Sequence, residues 1–302
     1  MEKIGLVTIT YNSAHVLRGF LDSVLNQTFQ NFVIYIIDNN SEDETFNILK
    51  EYSDDRIVII KNTENVGVAK ANNQGIKLAL KDNCSQVLII NNDIEFEEKL
   101  FQKMLNIQKE NRCSLVVPKM MYYDNPDHIW YAGSNFIKRK GYLPIHIGIK
   151  EKDLGQFDGV SLVEYAPTCC LMVKKEVFKD IGFMDEKYFV YFDDTDFLYR
   201  VLKNGKHKLF YFSDVKFFHK LGSLTKSVEK DKKKEYRGDF FIKQNTRNHV
   251  YFLKKIGGVF SYSFIVFLFF KNNIRIFTNP NFRTNFHTWK LINKSYFEGL
   301  FM

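Results

Sequence analysis

From Lys3 to Asn91 the chain alternates short apolar runs with longer stretches whose apolar residues recur every three or four positions. The runs are Lys3–Thr10, Phe32–Asp38, Ile57–Lys61 and Gln86–Asn91. Phe32–Asp38 is apolar at nearly every position, as expected of a parallel strand covered on both faces. Between the runs, Ser13 can cap a helix reaching about Asn26. Val16, Leu17, Phe20, Leu21, Val24 and Leu25 share one of its faces. Glu44–Glu51 and Val68–Lys81 read as further helices. This order predicts an α/β fold with a doubly wound, mostly parallel sheet flanked by helices. Such sheets bind ligands beyond the carboxyl ends of their strands.

After Asn91 the pattern loosens. A helix is expected to begin near Glu97, and Asp124–Asp158 reads as loops and short strands shaping a mouth. Glu164–Val173 reads as a buried strand, Lys174–Ile181 as a short helix and Asp194–Lys203 as a helix with carboxylates at its N-terminus. His207–Phe212 is the next expected strand, followed by a loop carrying His219. Lys230–Lys255 is basic and helical in character, and Ile256–Met302 is an aromatic and basic region.

Composition narrows the partners. Among 302 residues there are 30 Phe and 16 Tyr, and the net charge is +8. That charge admits nucleic acid, anionic lipid or a phosphorylated substrate, but no RNA- or DNA-binding signature accompanies it. Cys84, Cys113, Cys169 and Cys170 lack metal-ligand spacing and read as packed thiols of a cytosolic protein. The N-terminus has no signal-peptide core. The longest apolar run, Val259–Phe270, is too short for a membrane-spanning helix.

The strand ends carry the chemistry. They read Thr8-Ile9-Thr10-Tyr11-Asn12, Asp38-Asn39-Asn40-Ser41 and Asn91-Asn92-Asp93, with Asn65-Val66-Gly67 opening the third helix. No Gly-rich dinucleotide or nucleoside-triphosphate loop follows a strand. Further on, VYFDDTDFLYR puts Asp193, Asp194 and Asp196 in an aromatic setting. Buried carboxylates repel one another and are costly to desolvate, so a metal, a proton or a substrate hydroxyl should compensate them.

The series VTITYN, IIDNNSED, NTENVGVAKANNQGI, LIINNDI and CCLMVKKEVFKDIGFMDEKYFVYFDDTDFLYRVLKNGKHKLFYFSDVKFFHKLGS resembles family 2 inverting glycosyltransferases of the GT-A fold. Its rhamnosyl- and galactofuranosyl-transferase branch is the most similar. The resemblance covers roughly residues 4 to 225. It implies a GT-A domain over 1–225, with a nucleotide-sugar half to about 118 and an acceptor half from 119. A basic, helical and aromatic extension would follow over 226–302. Asp38, Asn40 and the turn Thr10, Tyr11 and Asn12 would line the donor pocket with Asn65, Gly67, Asn72, Asn91 and Asn92. Asp93 and His219 would hold a divalent cation, Mg²⁺ or Mn²⁺. Asp194 would be the general base and Asp193 its partner at the acceptor, with Asp196 and Trp130 also on the acceptor side. The implied reaction moves a sugar, dTDP-rhamnose favoured over UDP-galactofuranose as donor, to a lipid-linked or oligosaccharide acceptor in bacterial O-antigen or capsule synthesis. The enzyme would work in the cytoplasm, peripherally on an anionic membrane surface.

Plainer readings stand beside these. Asp38 can end a strand through its own side-chain turn, and Asp193 and Asp194 suit any helix N-terminus. A sugar nucleotidyltransferase would need a Gly-rich, Arg-containing loop after the first strand, which is absent. A non-catalytic sugar-nucleotide-binding module would have little use for Asp93, Asp194 and His219 together. For the tail two readings remain open, a helix packed on the domain and a segment lying on the membrane.

Overall fold

The computed structural model describes residues 2–220, 238–278 and 286–302. The first half follows the sequence pattern: β1 (Ile4–Thr10), α1 (Ala14–Leu25), β2 (Phe32–Asp38), α2 (Thr45–Glu51), β3 (Ile57–Lys61), α3 (Val68–Lys81) and β4 (Gln86–Ile90). Next come β5 (Ile94–Phe96), α4 (Leu100–Glu110), β6 (Leu115–Pro118), β7 (Met120–Tyr122), β8 (Ile129–Tyr131) and β9 (Ser134–Ile137). A 3-10 turn, Lys138–Lys140, leads to β10 (Leu143–His146), β11 (Val160–Val163) and β12 (Cys170–Lys174). Then follow α5 (Lys175–Ile181), α6 (Asp193–Asn204), β13 (Leu209–Phe212) and β14 (Phe217–His219). Three helices close the chain: α7 (Asp239–Ile256), α8 (Gly258–Thr278) and α9 (Phe286–Phe301).

The main sheet runs β11-β13-β6-β12-β4-β1-β2-β3. β3, β2, β1 and β4 are parallel, whereas β12 lies antiparallel between β4 and β6. The order reverses at β1, so right-handed crossovers put α1 and α2 on one face and α3 on the other. The reversal opens a crevice beyond the carboxyl ends of β1, β2 and β4, where a doubly wound sheet binds ligands. A second sheet, β5-β14-β7-β8, stands beside that crevice.

Four expectations are corrected. The strand expected over Glu164–Val173 is confined to Cys170–Lys174; Pro167 lacks a backbone N–H, and the N–H of Thr168 goes to Asp194 instead of a ladder. His219 lies on a strand, β14, because its backbone pairs with β5. The helix expected from Glu97 starts at Leu100, after the short strand β5. Lys174 ends β12 and precedes α5. The part of the expected basic helix before residue 238, and the boundary drawn at 225/226, fall outside the described residues.

α7 joins the C-terminal helices to the rest. One face packs Val250 and Leu253 on Ile265 and Leu268 of α8 and Tyr296 of α9. The other packs Tyr251 and Phe252 on Tyr188 and Phe192. Burying a side chain such as Phe252 is worth about 1.5–3 kcal/mol, so the contact is a core rather than a loose appendage. α8 is different: Val259, Tyr262, Val266, Phe270 and Ile274 are exposed along its outer side.

The α7–α9 contact is close enough to test. A Cβ on Gly299 would lie 2.3 Å from the Arg247 carbonyl oxygen. Gly299→Ala should therefore destabilise the protein by about 1–3 kcal/mol in urea unfolding. Unchanged stability would show that the two helices are not packed this closely.

Candidate active site

The crevice is built from the strand ends. Asp38, fully buried at the end of β2, accepts the Thr10 hydroxyl at 2.9 Å and the Ser41 hydroxyl at 2.5 Å on one oxygen. Its other oxygen accepts the Ser41 N–H at 3.2 Å. The carboxylate thereby ties the β1 and β2 loops together. Asn12 and Asn40 flank it with left-handed backbones, φ 50° and 64°; asparagine tolerates that region better than other non-glycine residues. Asn12 is pinned by the Ser41 hydroxyl and by the Glu42 N–H, which donates to Asn12 Oδ1 at 2.9 Å. Tyr11, at the lip, is exposed.

At α3, Asn65 Oδ1 accepts the Gly67 N–H at 3.0 Å, and Asn39 Nδ2 donates to Asn65 Oδ1 at 3.2 Å. Gly67 does allow a close approach, but the group that approaches is protein. A Cβ there would meet the Phe189 carbonyl oxygen at 2.5 Å, and the Val68 N–H donates to that oxygen at 2.6 Å. The first amide of α3 is thus spent on the Phe189 carbonyl and not left for an anion. Asn72 is buried under the same segment, with Nδ2 3.8 Å from Met184 Sδ.

Strand register creates the next cluster. β14 pairs with β5 so that His219 faces Ile94, and the Lys220 N–H donates to the Asp93 carbonyl at 2.8 Å. This sets His219 Nε2 3.3 Å from Asp93 Oδ1, with both side chains buried. Asn92 Nδ2 donates to the Ile9 carbonyl at 3.0 Å. Asn92 Oδ1 and His219 Nδ1 are buried without hydrogen-bond partners among the described residues. Trp130 stands edge-on to His219 at 4.5 Å and to His146 at 4.8 Å. Asn91 donates its N–H to the Cys169 carbonyl at 3.0 Å. An imidazole, a carboxylate and the unsatisfied amide oxygen of Asn92 are donors of the kind that fit a divalent cation. No group of three or more His, Cys, Asp or Glu residues suited to a metal occurs among the described residues.

The acidic cluster faces Asp93 across Cys169. Asp194 Oδ2 accepts the Tyr165 hydroxyl at 2.7 Å, and Oδ1 accepts the Thr195 N–H at 2.6 Å. The Thr195 hydroxyl at 3.1 Å and the Thr168 N–H bring the donors on this carboxylate to four. The charges of Asp93 and Asp194 both reach the Cys169 thiol, whose pKa burial has already raised well above the ordinary value. Burial also raises both aspartates: Asp193, with the charge of Asp194 adding to it, is pushed up to about 8, and Asp194 rises against the hydrogen bonds that oppose it. Two carboxylates at one site, both raised, favour sharing a single proton between them.

Asp196, expected on the acceptor side, is ion-paired within the protein. It is buried, with Oδ2 2.9 Å from Arg200 Nε and Oδ1 2.7 Å from Lys255 Nζ of α7. The Arg200 pair is an i,i+4 contact within α6. Tyr165 and the Thr168 amide were not legible as site residues, because nothing in EYAPTCC marks a buried hydroxyl aimed at a helix 29 positions away. The turn entering α6 was hidden too. Tyr191 and Phe192 have φ 64° and 70°, and Asn248 Nδ2 holds the carbonyls of Val190 and Tyr191, each at 2.9 Å.

Comparison with known proteins places this arrangement. The family model described as "Glycosyl transferase family 2" matches residues 6–182, more than half of the chain. The chain belongs to glycosyl transferase family 2. Among relatives of this glycosyltransferase is the low-salt glycan biosynthesis hexosyltransferase Agl10 of Haloferax volcanii, 25% identical over 68% of this chain and 63% of that protein. Another is the dTDP-rhamnosyl transferase RfbF of Shigella flexneri, 27% identical over 75% of this chain and 72% of that protein. The chain thus spans about 63% of the length of Agl10. Among solved structures, TarS 1–349 of S. aureus in complex with UDP-GlcNAc superposes with a TM-score of 0.61 at 14% identity. It covers 98% of this chain and 81% of that one. GalNAc-T7 with UDP, GalNAc and Mn²⁺ gives 0.62 at 12% identity, over 84% of this chain and 48% of that one. These likenesses establish the GT-A fold.

The raised pKa of Asp193 has a thermodynamic sign. A carboxyl that titrates higher folded than unfolded carries no penalty below its unfolded value of about 3.9. The penalty grows as pH rises and is complete above the folded value of about 8. Asp193→Asn should therefore raise the melting temperature at pH 9 while changing it little at pH 4. Equal shifts at both pH values would show that Asp193 is not held protonated.

Proposed function

We propose that this family 2 glycosyltransferase inverts configuration. It moves a sugar from a pyrimidine nucleotide sugar to a hydroxyl of a lipid-linked or oligosaccharide acceptor in surface-polysaccharide synthesis. The observation that carries the reading is the convergence of Asp93 with His219, and of Asp193 with Asp194, on the two sides of the Thr168–Cys169 segment. Donor and acceptor can then meet within one crevice. Thr10, Tyr11, Asn12, Asp38 and Asn40 form the pocket for base and ribose, with Tyr11 free to stack and Asp38 fixing the walls. Asn65 and Gly67 support that pocket from α3. Asn91 and Asn92 extend it toward the sugar.

Asp93 and His219 would hold Mg²⁺ or Mn²⁺, with the remaining coordination coming from substrate and water. When bound, such a cation supplies charge neutralisation for the departing diphosphate. Asp194 takes the proton of the acceptor hydroxyl, which suits a carboxylate whose basicity burial has increased. Asp193, protonated beside it, donates to the acceptor and spares the pair a second charge. Trp130, edge-on to His219, offers an apolar face to a sugar ring.

dTDP-rhamnose is the favoured donor, supported by similarity to the Shigella rhamnosyl transferase. UDP-linked sugars are the second reading, supported by the likeness to a fold solved with UDP-GlcNAc. The site of action is the cytoplasmic face of the membrane. No described helix is long and apolar enough to cross a membrane, but the outer side of α8 leaves Val259 85% and Phe270 57% exposed. Such a face suits the lipid boundary.

Asp194→Asn should lower transfer by roughly 10²–10⁴ while calorimetry finds donor affinity nearly unchanged. Transfer at the wild-type rate would remove the base from Asp194. Asp93→Ala should abolish the cation-dependent part of donor binding, and an unaltered titration with Mn²⁺ would remove the metal from that residue.

The membrane reading has its own check. Replacing Val259, Val266 and Phe270 by Asp should reduce sedimentation with anionic liposomes without altering donor binding. Equal sedimentation would put the membrane contact elsewhere.

A further inference from the structure

The transfer site leaves a second cleft unexplained. It has a volume of about 470 Å³, well within the range of small-molecule sites, and lies where the Lys138–Lys140 turn meets α7 and α8. Arg139, Lys140 and Lys271 supply cations at its walls, and no Asp or Glu lines it. All three are exposed, and none makes a salt bridge among the described residues. The apolar part comes from Phe264, Phe267 and Leu268. Cations alone would take any anion; cations above an apolar wall select an anion that carries a hydrocarbon chain.

Two contacts place this cleft in relation to transfer. His249 lines it, is buried, and fixes the basic turn by bonding the Gly141 carbonyl through Nε2 at 2.9 Å. The same ring stacks on Phe192 at 5.3 Å, and Phe192 immediately precedes Asp193. On the outer side, Phe267 and Lys271 both line the cleft and belong to the exposed surface of α8. The cleft therefore runs from the lipid-facing side of α8 to the back of the turn that carries the base.

We propose that this cleft binds the phosphate or diphosphate end of a lipid carrier. Its head meets Arg139, Lys140 and Lys271, and the first part of its chain lies on Phe264, Phe267 and Leu268. This rests on the transferase reading and deepens it, since the ligand is then the carrier end of the acceptor. A lipid held there would be anchored before its sugar reaches Asp194, which raises the effective concentration of the acceptor hydroxyl.

The test is calorimetric binding of farnesyl diphosphate to the full chain, against farnesol and inorganic diphosphate. Farnesyl diphosphate should bind at least about tenfold more tightly than either part alone, since charge and chain act together. The triple variant Arg139→Gln, Lys140→Gln and Lys271→Gln should lose at least about tenfold of that affinity while binding the nucleotide sugar as before. Saturating nucleoside diphosphate should leave the lipid titration unchanged. Equal affinity of the triple variant would overturn the proposal. So would inorganic diphosphate binding as well as the lipid, or displacement by the nucleoside diphosphate. If the wild type binds a nucleotide sugar but no farnesyl diphosphate, the cleft proposal alone fails. If it binds no nucleotide sugar, the transferase reading fails with it.

Discussion

The antiparallel pairing of β12 with β4 is the constraint on which the site depends. β4 delivers Asn91, Asn92 and Asp93 at its carboxyl end, and Cys170 pairs with Ile90 there. Because β12 runs against β4, its entry, not its exit, lies beside those residues. A parallel strand in the same place would have put Thr168 and Cys169 at the opposite edge of the sheet. Instead the Cys169 carbonyl accepts the Asn91 N–H, and the Thr168 N–H reaches Asp194. Pro167 cannot donate to a ladder, which helps to release this segment for the site. One reversed strand thus joins the ends of the parallel strands to the acidic cluster of α6.

Holding the acids in place has a cost that α7 offsets. Tyr191 and Phe192 occupy the left-handed region one after the other, a strain of about 1–3 kcal/mol each. Asn248, fully buried on α7, holds the two carbonyls that precede and share this turn. Lys255 of the same helix pairs with Asp196 and Asp185. Asp196 is thereby compensated by fixed cations, whereas Asp193 and Asp194 are compensated by hydrogen bonds and a shared proton. Of three carboxylates within four positions, Asp196 alone is held by fixed cations. α7 is accordingly part of the frame that holds the acidic cluster, and α8 is the element that turns outward.

The order of the first seven elements was readable in the sequence, because parallel strands and amphipathic helices each leave a local period. The residues at the strand ends were readable for the same reason, since the fold class says where ligands bind. What depended on distant pairing was not readable. The reversal of β12 is a choice of neighbours, and the β5–β14 register that seats His219 beside Asp93 involves strands of only three residues. Gly67 announced a close approach but not its partner, Phe189. Asp196 looked like its two neighbours until Lys255 was seen against it. The tail looked like one aromatic and basic region, yet it divides into a packed α7 and an outward-facing α8, a distinction made by contacts and not by composition.

The account rests on a single displacement in which Asp194 receives a proton and no side chain bonds to the sugar. The most direct measurement is ¹H NMR of the first product formed from the nucleotide sugar that stabilises the protein, with an acceptor present. A single displacement predicts an anomeric configuration opposite to that of the donor from the first turnover. Retained configuration would contradict the account, because it requires a covalent or equivalent two-step path in place of a single displacement assisted by Asp194.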